Sequence, residues 1–323
     1  MSVRLVVIGP VFGGDLSFIA DVHDRVQVTV ADGPDDPAVA EAEAALLGYP
    51  VPTVLAAKAP RLRWAHHIGA GASNYHHSDL WTSDVVLTSS RGAAGATAIA
   101  EYVMAAVFHF ARGLHDAMLQ RQAGEFTRKG YRLRPVAGST MGVVGLGGIG
   151  GEVARLARAV GMRVVATRRS VTEPVTDVDG ADLVLPADRL LEVAAQSDVL
   201  AVCSQLTGET RGMIDARVLA AMPSHAVLVN IARGEEVDED ALVAALREGR
   251  IRGAVLDVHA GESTGRPPRP DLFALPQVVL TPHLSGSGDP WRGEPQKELF
   301  ADNLRRFLAG EPLRNVVDRT RGY

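Results

Sequence analysis

The segment Val143-Val144-Gly145-Leu146-Gly147-Gly148-Ile149-Gly150 carries the pattern G-x-G-x-x-G between an apolar run and an Ala-rich stretch. With a strand before it and a helix after it, each glycine has a physical task. Gly145 allows a tight turn, Gly147 lets the backbone approach a pyrophosphate, and Gly150 lets helix and strand pack closely. Gly148 and Ile149 fall in the first helical turn, where N–H groups and the positive end of the helix dipole favour phosphate. The chemistry implied is capture of a dinucleotide.

The next apolar run ends in Thr167-Arg168-Arg169-Ser170. A site for NAD(H) usually places Asp or Glu there, about 20 residues past the glycines, to hold the ribose hydroxyls. This chain has arginines instead. A carboxylate repels a 2′-phosphate, whereas a guanidinium pairs with it bidentately. Arg168 and Arg169, with the Ser170 hydroxyl beside them, point to NADP(H), and NAD(H) stays open as the alternative.

Three later segments each place polar groups at or just past an apolar run. They are Asn230-Ile231-Ala232-Arg233-Gly234, Leu256-Asp257-Val258-His259-Ala260-Gly261-Glu262 and Leu280-Thr281-Pro282-His283. In open α/β sheets the ligand crevice lies beyond the carboxyl ends of the strands, so all three can face one cleft. A planar arginine can hold a carboxylate. A histidine beside a carboxylate can give and take a proton near neutral pH.

From about Arg63 to Val317 these segments, in their order and spacing, closely resemble the D-isomer-specific 2-hydroxyacid dehydrogenases of the glyoxylate/hydroxypyruvate reductase kind. The resemblance implies an enzyme that moves a hydride between NADP(H) and a small 2-oxo or D-2-hydroxy acid. It implies that Arg233 holds the substrate's carboxylate and carbonyl oxygen, that His283 exchanges the proton, and that Glu262 orients His283. Ala232 and Asp257 are implied at the nicotinamide. Ala70 and Gly71, in Ile68-Gly69-Ala70-Gly71-Ala72-Ser73-Asn74, are implied to bind the substrate carboxylate through backbone N–H groups. Ser73 stands where the family often has Asp, and Gln205 where it commonly has Pro. A homodimer is implied too, joined through the Ala-rich segment 96–112 and the arm after it. Two other readings remain: an NAD-linked dehydrogenase of a larger or phosphorylated 2-hydroxy acid, and a non-catalytic dinucleotide-sensing regulator.

The elements that must position these groups alternate in type. Strands are expected at Arg4–Ile8, Val26–Val30, Ala44–Leu47, Arg63–Ile68 and Val85–Thr88, then at Met141–Gly145, Arg163–Thr167, Val199–Cys203, Ala226–Ile231, Ile251–Val258 and Val278–Thr281. Helices are expected at Gly14–Asp24, Ala96–Arg112, Gly148 to about Val160, Asp238–Glu248 and Trp291–Ala309. This pattern predicts an α/β protein with two Rossmann-like domains, parallel sheets and a cleft between the domains. The substrate-binding domain is expected to be discontinuous, 1–95 and 288–323, around a dinucleotide-binding domain at 96–287. Residues 113–138 are basic and poorly periodic and read as an excursion from the core.

Composition narrows the rest. Apolar residues make up 46% and charged residues 22%, ordinary values for a globular chain. The net charge of −5 argues against a nucleic-acid partner. No stretch approaches the ~20 apolar residues of a membrane span, and none reads as a signal peptide, so a cytoplasmic protein is expected. The single cysteine, Cys203, excludes an internal disulfide and reads as a small core residue. His66-His67 and His76-His77 lack the carboxylate or thiol partners of a metal site, and none is expected. The acidic run Glu235-Glu236, Asp238-Glu239-Asp240 reads as a solvated helix entrance. Trp291 could wall the substrate pocket or pack in the core, and Arg91 reads as a surface residue.

Overall fold

The computed structural model describes residues 2–22, 24–92, 95–287, 293–320 and 322. The chain divides into two compact units, residues 1–95 with 288–323, and residues 96–287.

The first unit is built on β1 (Val3–Ile8), β2 (Val26–Ala31), β3 (Ala44–Leu47), β4 (Trp64–His67) and β5 (Val86–Ser89). These run parallel in the order β2-β1-β3-β4-β5. Short continuous apolar runs suit strands covered on both faces. Val6, Ile8, Ala45 and Leu47 enter one apolar cluster, and Leu5, Val7, Ala44 and Leu46 enter the other. The helix Glu294–Ala309 covers the second face, where Phe300 stacks on Trp64 with ring centroids 5.3 Å apart. The helix expected over 14–24 shrinks to Ser17–Ala20. Gly13 and Gly14 before it hold φ of 64° and 89°, conformations that do not continue into a right-handed helix. Trp291, expected to open the last helix, lies outside the described residues.

The second unit carries β6 (Thr140–Val144), β7 (Arg163–Thr167), β8 (Val175–Val178), β9 (Ala181–Leu185), β10 (Val199–Val202), β11 (Val227–Asn230), β12 (Gly253–Leu256) and β13 (Val278–Leu280). Their order is β13-β12-β11-β10-β6-β7-β9-β8. All neighbours are parallel except β8 and β9, which form an antiparallel edge. The chain moves outward from β6 through β7, then returns to the other side of β6 with β10. The β6/β10 boundary is therefore the topological switch point, where crevices open at the strands' carboxyl ends.

β8 and β9 escape a sequence reading for physical reasons. Val175, Thr176 and Asp177 are exposed at the sheet edge and leave no apolar pattern. In β9 the run is broken by Asp182, whose carboxylate accepts the Val164 N–H at 2.7 Å.

Helix Ala96–Ala111 buries Ala100, Val103, Val107 and Phe110, the three- and four-residue spacing of one apolar face. The segment after it is more ordered than its sequence suggests, because Leu114–Ala123 is a second helix. Asp116 ties that helix to Arg252 at 3.1 Å, with both side chains buried. Among the described residues no helix is long and apolar enough to cross a membrane.

Candidate active site

β6 delivers its chain into the glycine loop at the switch point. Gly145 takes φ of 94°, in the left-handed region that favours glycine. A Cβ there would lie 2.8 Å from the Ser204 Cα, and one at Gly150 would lie 2.2 Å from the Gly145 carbonyl oxygen. At Gly147, the residue capping helix Gly148–Ala159, a Cβ would meet nothing within 4 Å. The two outer glycines are thus required by the protein's own packing, whereas the middle one faces open space. Among the described residues the N–H groups of Gly148, Ile149 and Gly150 take no partner, as expected for a first helical turn. This loop fits a dinucleotide's pyrophosphate.

β7 ends beside the loop, with the Thr167 carbonyl accepting N–H groups of Gly145 and Leu146 at 3.2 and 2.9 Å. Arg168 follows, and its Nη1 lies 2.6 Å from Asp179 Oδ2. Arg169 and Ser170 are exposed. The sequence pattern does not announce Asp179, which arrives through the turn joining β8 to β9. A carboxylate therefore does stand near this strand end, and it is already engaged with an arginine.

Beyond β11, Asn230 shapes the Arg233 loop with both ends of its amide. Its Oδ1 accepts the Ala232 N–H at 3.0 Å and its Nδ2 donates to the Arg233 carbonyl at 2.9 Å. Arg233 itself is extended (φ −141°, ψ 146°). At the next residue a Cβ would lie 1.8 Å from the His259 carbonyl carbon, so Gly234 lets the arginine loop and the loop after β12 touch back to back.

The loop after β12 is held by the acidic run. Glu235 Oε1 accepts the Gly261 N–H at 3.1 Å, and Glu239 Oε1 accepts the Ala260 N–H at 2.8 Å. Asp238 caps helix Glu239–Arg247 through the N–H groups of Asp240 and Ala241. Only Asp240 behaves as a surface charge, pairing with Arg269 at 2.5 Å. The expectation of a merely solvated helix entrance is thus corrected, since three of these acids brace or cap and a fourth, Glu236, is fully buried.

Glu262 Oε1 lies 2.7 Å from His283 Nδ1. Burial opposes ionisation of Glu262, but the His283 hydrogen bond and the charges of His283, His259 and Arg233 outweigh it and hold the carboxyl below its usual range. With Nδ1 engaged, Nε2 is the nitrogen available for proton exchange. His283 has φ of 52°, unusual for a residue with a side chain. Asp257, 1% exposed, secures that turn. Its Oδ1 accepts from Thr281 Oγ1 and the Leu284 N–H at 2.6 and 2.8 Å, and its Oδ2 accepts the Ser285 N–H at 2.9 Å. Tyr102 Oη meets Thr281 Oγ1 at 2.6 Å and extends the network into helix Ala96–Ala111.

Glu236 and Ser204 are the site-adjacent residues that sequence reasoning missed. Ser204 Oγ donates to Glu236 Oε2. Among the described residues Glu236 Oε1, also buried, has no hydrogen-bond partner. Burial pushes the Glu236 carboxyl up to about 7, against the Ser204 hydrogen bond and the Arg233 charge. Burial also pushes the Cys203 thiol up to about 12, with Glu236 adding to the effect, which disfavours the nucleophilic thiolate.

In the first unit, the loop after β4 is pinned by its carbonyls. Ser89 Oγ donates to the Ala70 carbonyl at 3.1 Å and Asn74 Nδ2 to the Gly71 carbonyl at 2.8 Å. Among the described residues neither the Ala70 nor the Gly71 N–H is engaged. The paired histidines of β4 serve the sheet. His66 meets Thr88 Oγ1 and Ser90 Oγ at 2.8 and 3.0 Å, and burial holds its imidazole down at about 3. His67 Nδ1 accepts the Gly69 N–H at 2.8 Å. The Arg91 carbonyl accepts from Asn315 Nδ2 at 2.7 Å.

The model of the D-isomer specific 2-hydroxyacid dehydrogenase NAD binding domain matches residues 104–285. In sequence the chain is 37% identical over 269 residues to the glyoxylate reductase of Thermococcus onnurineus, covering 81% of this chain and 78% of that protein. It is 32% identical over 265 residues to the D-3-phosphoglycerate dehydrogenase of Methanocaldococcus jannaschii, covering 81% of this chain but only 48%, about half, of that protein. In structure it is similar to a D-isomer specific 2-hydroxyacid dehydrogenase from Xanthobacter autotrophicus Py2, solved in complex with NADPH and MES, with a TM-score of 0.82, 29% identity and 100% of both chains covered. A second solved structure is the NADPH-dependent glyoxylate/hydroxypyruvate reductase of Sinorhizobium meliloti in complex with NADP and sulfate, with a TM-score of 0.81, 25% identity and 100% of both chains covered.

Proposed function

Because the chain belongs to the D-isomer specific 2-hydroxyacid dehydrogenases, we propose that it reduces a small 2-oxo acid, of the glyoxylate or hydroxypyruvate kind, to the D-2-hydroxy acid with NADPH. The observation that carries this reading is the His283–Glu262 pair at 2.7 Å, built on the same sheet edge as the glycine loop and Arg233.

In this reading Gly145, Gly147 and Gly150 shape the pyrophosphate cradle, and the N–H groups of Gly148 and Ile149 hold the phosphates. Arg168, Arg169 and Ser170 take the 2′-phosphate, a reading supported by the NADPH bound in one similar structure and the NADP bound in another. Ala232 and Asp257 flank the nicotinamide, which when bound supplies the hydride. Arg233 holds the substrate's carboxylate and carbonyl oxygen in one plane. His283 donates its Nε2 proton to that oxygen as reduction proceeds and retrieves it in the reverse direction. Glu262 fixes the ring and stabilises its positive charge.

A second copy of the chain is the partner we propose. Leu114, Met118, Phe126 and Leu133 are exposed along the segment after helix Ala96–Ala111, an apolar run that a dimer interface would cover.

The test is consumption of reduced nicotinamide by purified protein, with NADPH and NADH each offered against glyoxylate, hydroxypyruvate, pyruvate and a bulkier 2-oxo acid. Turnover of a small acid with preference for NADPH is the expected result. Preference for NADH would remove the cofactor assignment, and cofactor binding without turnover of any acid would favour a sensing role.

A further inference from the structure

Glu236 lies in the short helical turn Gly234–Glu236 directly after Arg233, and its N–H donates to the Arg233 carbonyl at 3.2 Å. Its side chain is 0% exposed. One carboxyl oxygen meets Ser204 Oγ, and the other has no partner among the described residues. Ser204 in turn backs the glycine loop, since its Cα is what a Cβ on Gly145 would strike. A buried acid is thus joined through Ser204 to the cradle proposed for the cofactor, and through its backbone to the arginine proposed for the substrate. The charged or titratable groups around it are Arg233, Glu235 and the Cys203 thiol, with the Ser204 hydroxyl as its hydrogen-bond donor.

An isolated carboxylate in such a place is costly, and neutralisation is the common escape. We propose that Glu236 is a positioning residue that sets how strongly Arg233 attracts an anionic substrate. As a neutral acid it leaves the guanidinium's charge to the substrate carboxylate. As a carboxylate it cancels part of that charge and repels the incoming anion. The inference rests on the reading of Arg233 as the carboxylate holder.

Burial places the change in the neutral range, at about 7, while the Cys203 thiol stays protonated throughout. Binding of acid substrates is therefore tuned from behind Arg233, by a group that need not touch them.

The test uses oxamate, an unreactive mimic of a 2-oxo acid, titrated calorimetrically into the full chain holding NADP+ between about pH 6 and pH 8.5. Wild type should lose affinity about tenfold more than Glu236→Gln over this range, the size of one screened like charge. Ser204→Ala removes the hydrogen bond that favours the carboxylate, so it should move the loss to higher pH. Equal pH dependence in wild type and Glu236→Gln, or no oxamate binding by either, overturns the inference. Turnover of glyoxylate is measured in parallel. A normal oxamate result without turnover would count against the proposed reaction and leave the role of Glu236 standing.

Discussion

His283 donates its backbone N–H to the carbonyl of Asp257 at 2.9 Å, while the Asp257 carboxylate gathers Thr281, Leu284 and Ser285 on either side of it. One buried residue thereby fixes a left-handed histidine. Asp257→Ala removes three bonds to a charged acceptor, and we expect it to cost about 3 kcal/mol in urea unfolding. Turnover should fall at least tenfold, with a smaller loss of NADPH affinity from its proposed place at the nicotinamide. Unchanged NADPH affinity would remove Asp257 from the nicotinamide, and normal turnover would remove its hold on the His283 turn.

His283→Ala should lower turnover by ~10²–10⁴-fold while cofactor still binds, the usual loss for a proton-transfer group. Wild-type turnover in that variant would remove His283 from its role. Glu262 is held below its usual range, so its stabilising contribution is present above the unfolded-state value and lost as pH falls through the depressed one. Thermal melts of Glu262→Gln and wild type should therefore differ near neutral pH and converge in acid.

Glu236 has the opposite sign. Its carboxyl is raised to about 7, so the folded chain is favoured below the unfolded-state value and loses stability as pH rises toward and through 7. Glu236→Gln should gain stability relative to wild type between about pH 5 and pH 8.5, by roughly 3 kcal/mol at most. A pH-independent difference in melting would show that Glu236 does not titrate in this range.

Arg168→Asp with Arg169→Ala should weaken NADPH more than NADH, as read by fluorescence titration of each cofactor. Asp179→Ala bears on the same point from the other side. Its carboxylate engages Arg168 at 2.6 Å, and exposed pairs contribute little stability. Removing it should tighten NADPH by a few-fold at low salt, with the fold intact. An unchanged NADPH-to-NADH ratio in both variants would place the 2′-phosphate elsewhere.

Met118→Asp with Phe126→Asp puts charge on the exposed apolar run after helix Ala96–Ala111. Sedimentation velocity should show wild type as a dimer and the double variant shifted to monomer. Identical sedimentation of the two proteins would exclude that face.

The local signals were legible where one residue type answers one local need. Gly145 and Gly150 are dictated by contacts within a few residues or with the neighbouring strand end, and the apolar runs of β1 to β7 are read from their own composition. Glu262 and His283 could be paired only through family resemblance, because their contact spans 21 positions of chain. Asp179, Glu236 and Ser204 were not legible. Asp179 depends on an edge hairpin without an apolar pattern, and Glu236 looks like a surface charge until the fold closes over it. Neighbouring acids in one run received four different tasks, and nothing in the run itself distinguishes them.

Gly234 joins the arginine loop to the loop leading to Glu262 with no room for a single added carbon, 1.8 Å from the His259 carbonyl carbon. Any missense change at that codon must displace both loops together. Mutation cannot adjust Arg233, the proposed anion holder, and Glu262, the proposed partner of the proton-exchanging histidine, separately through this position, so inherited variation in one must enter elsewhere, around a point where the two loops share a single fate.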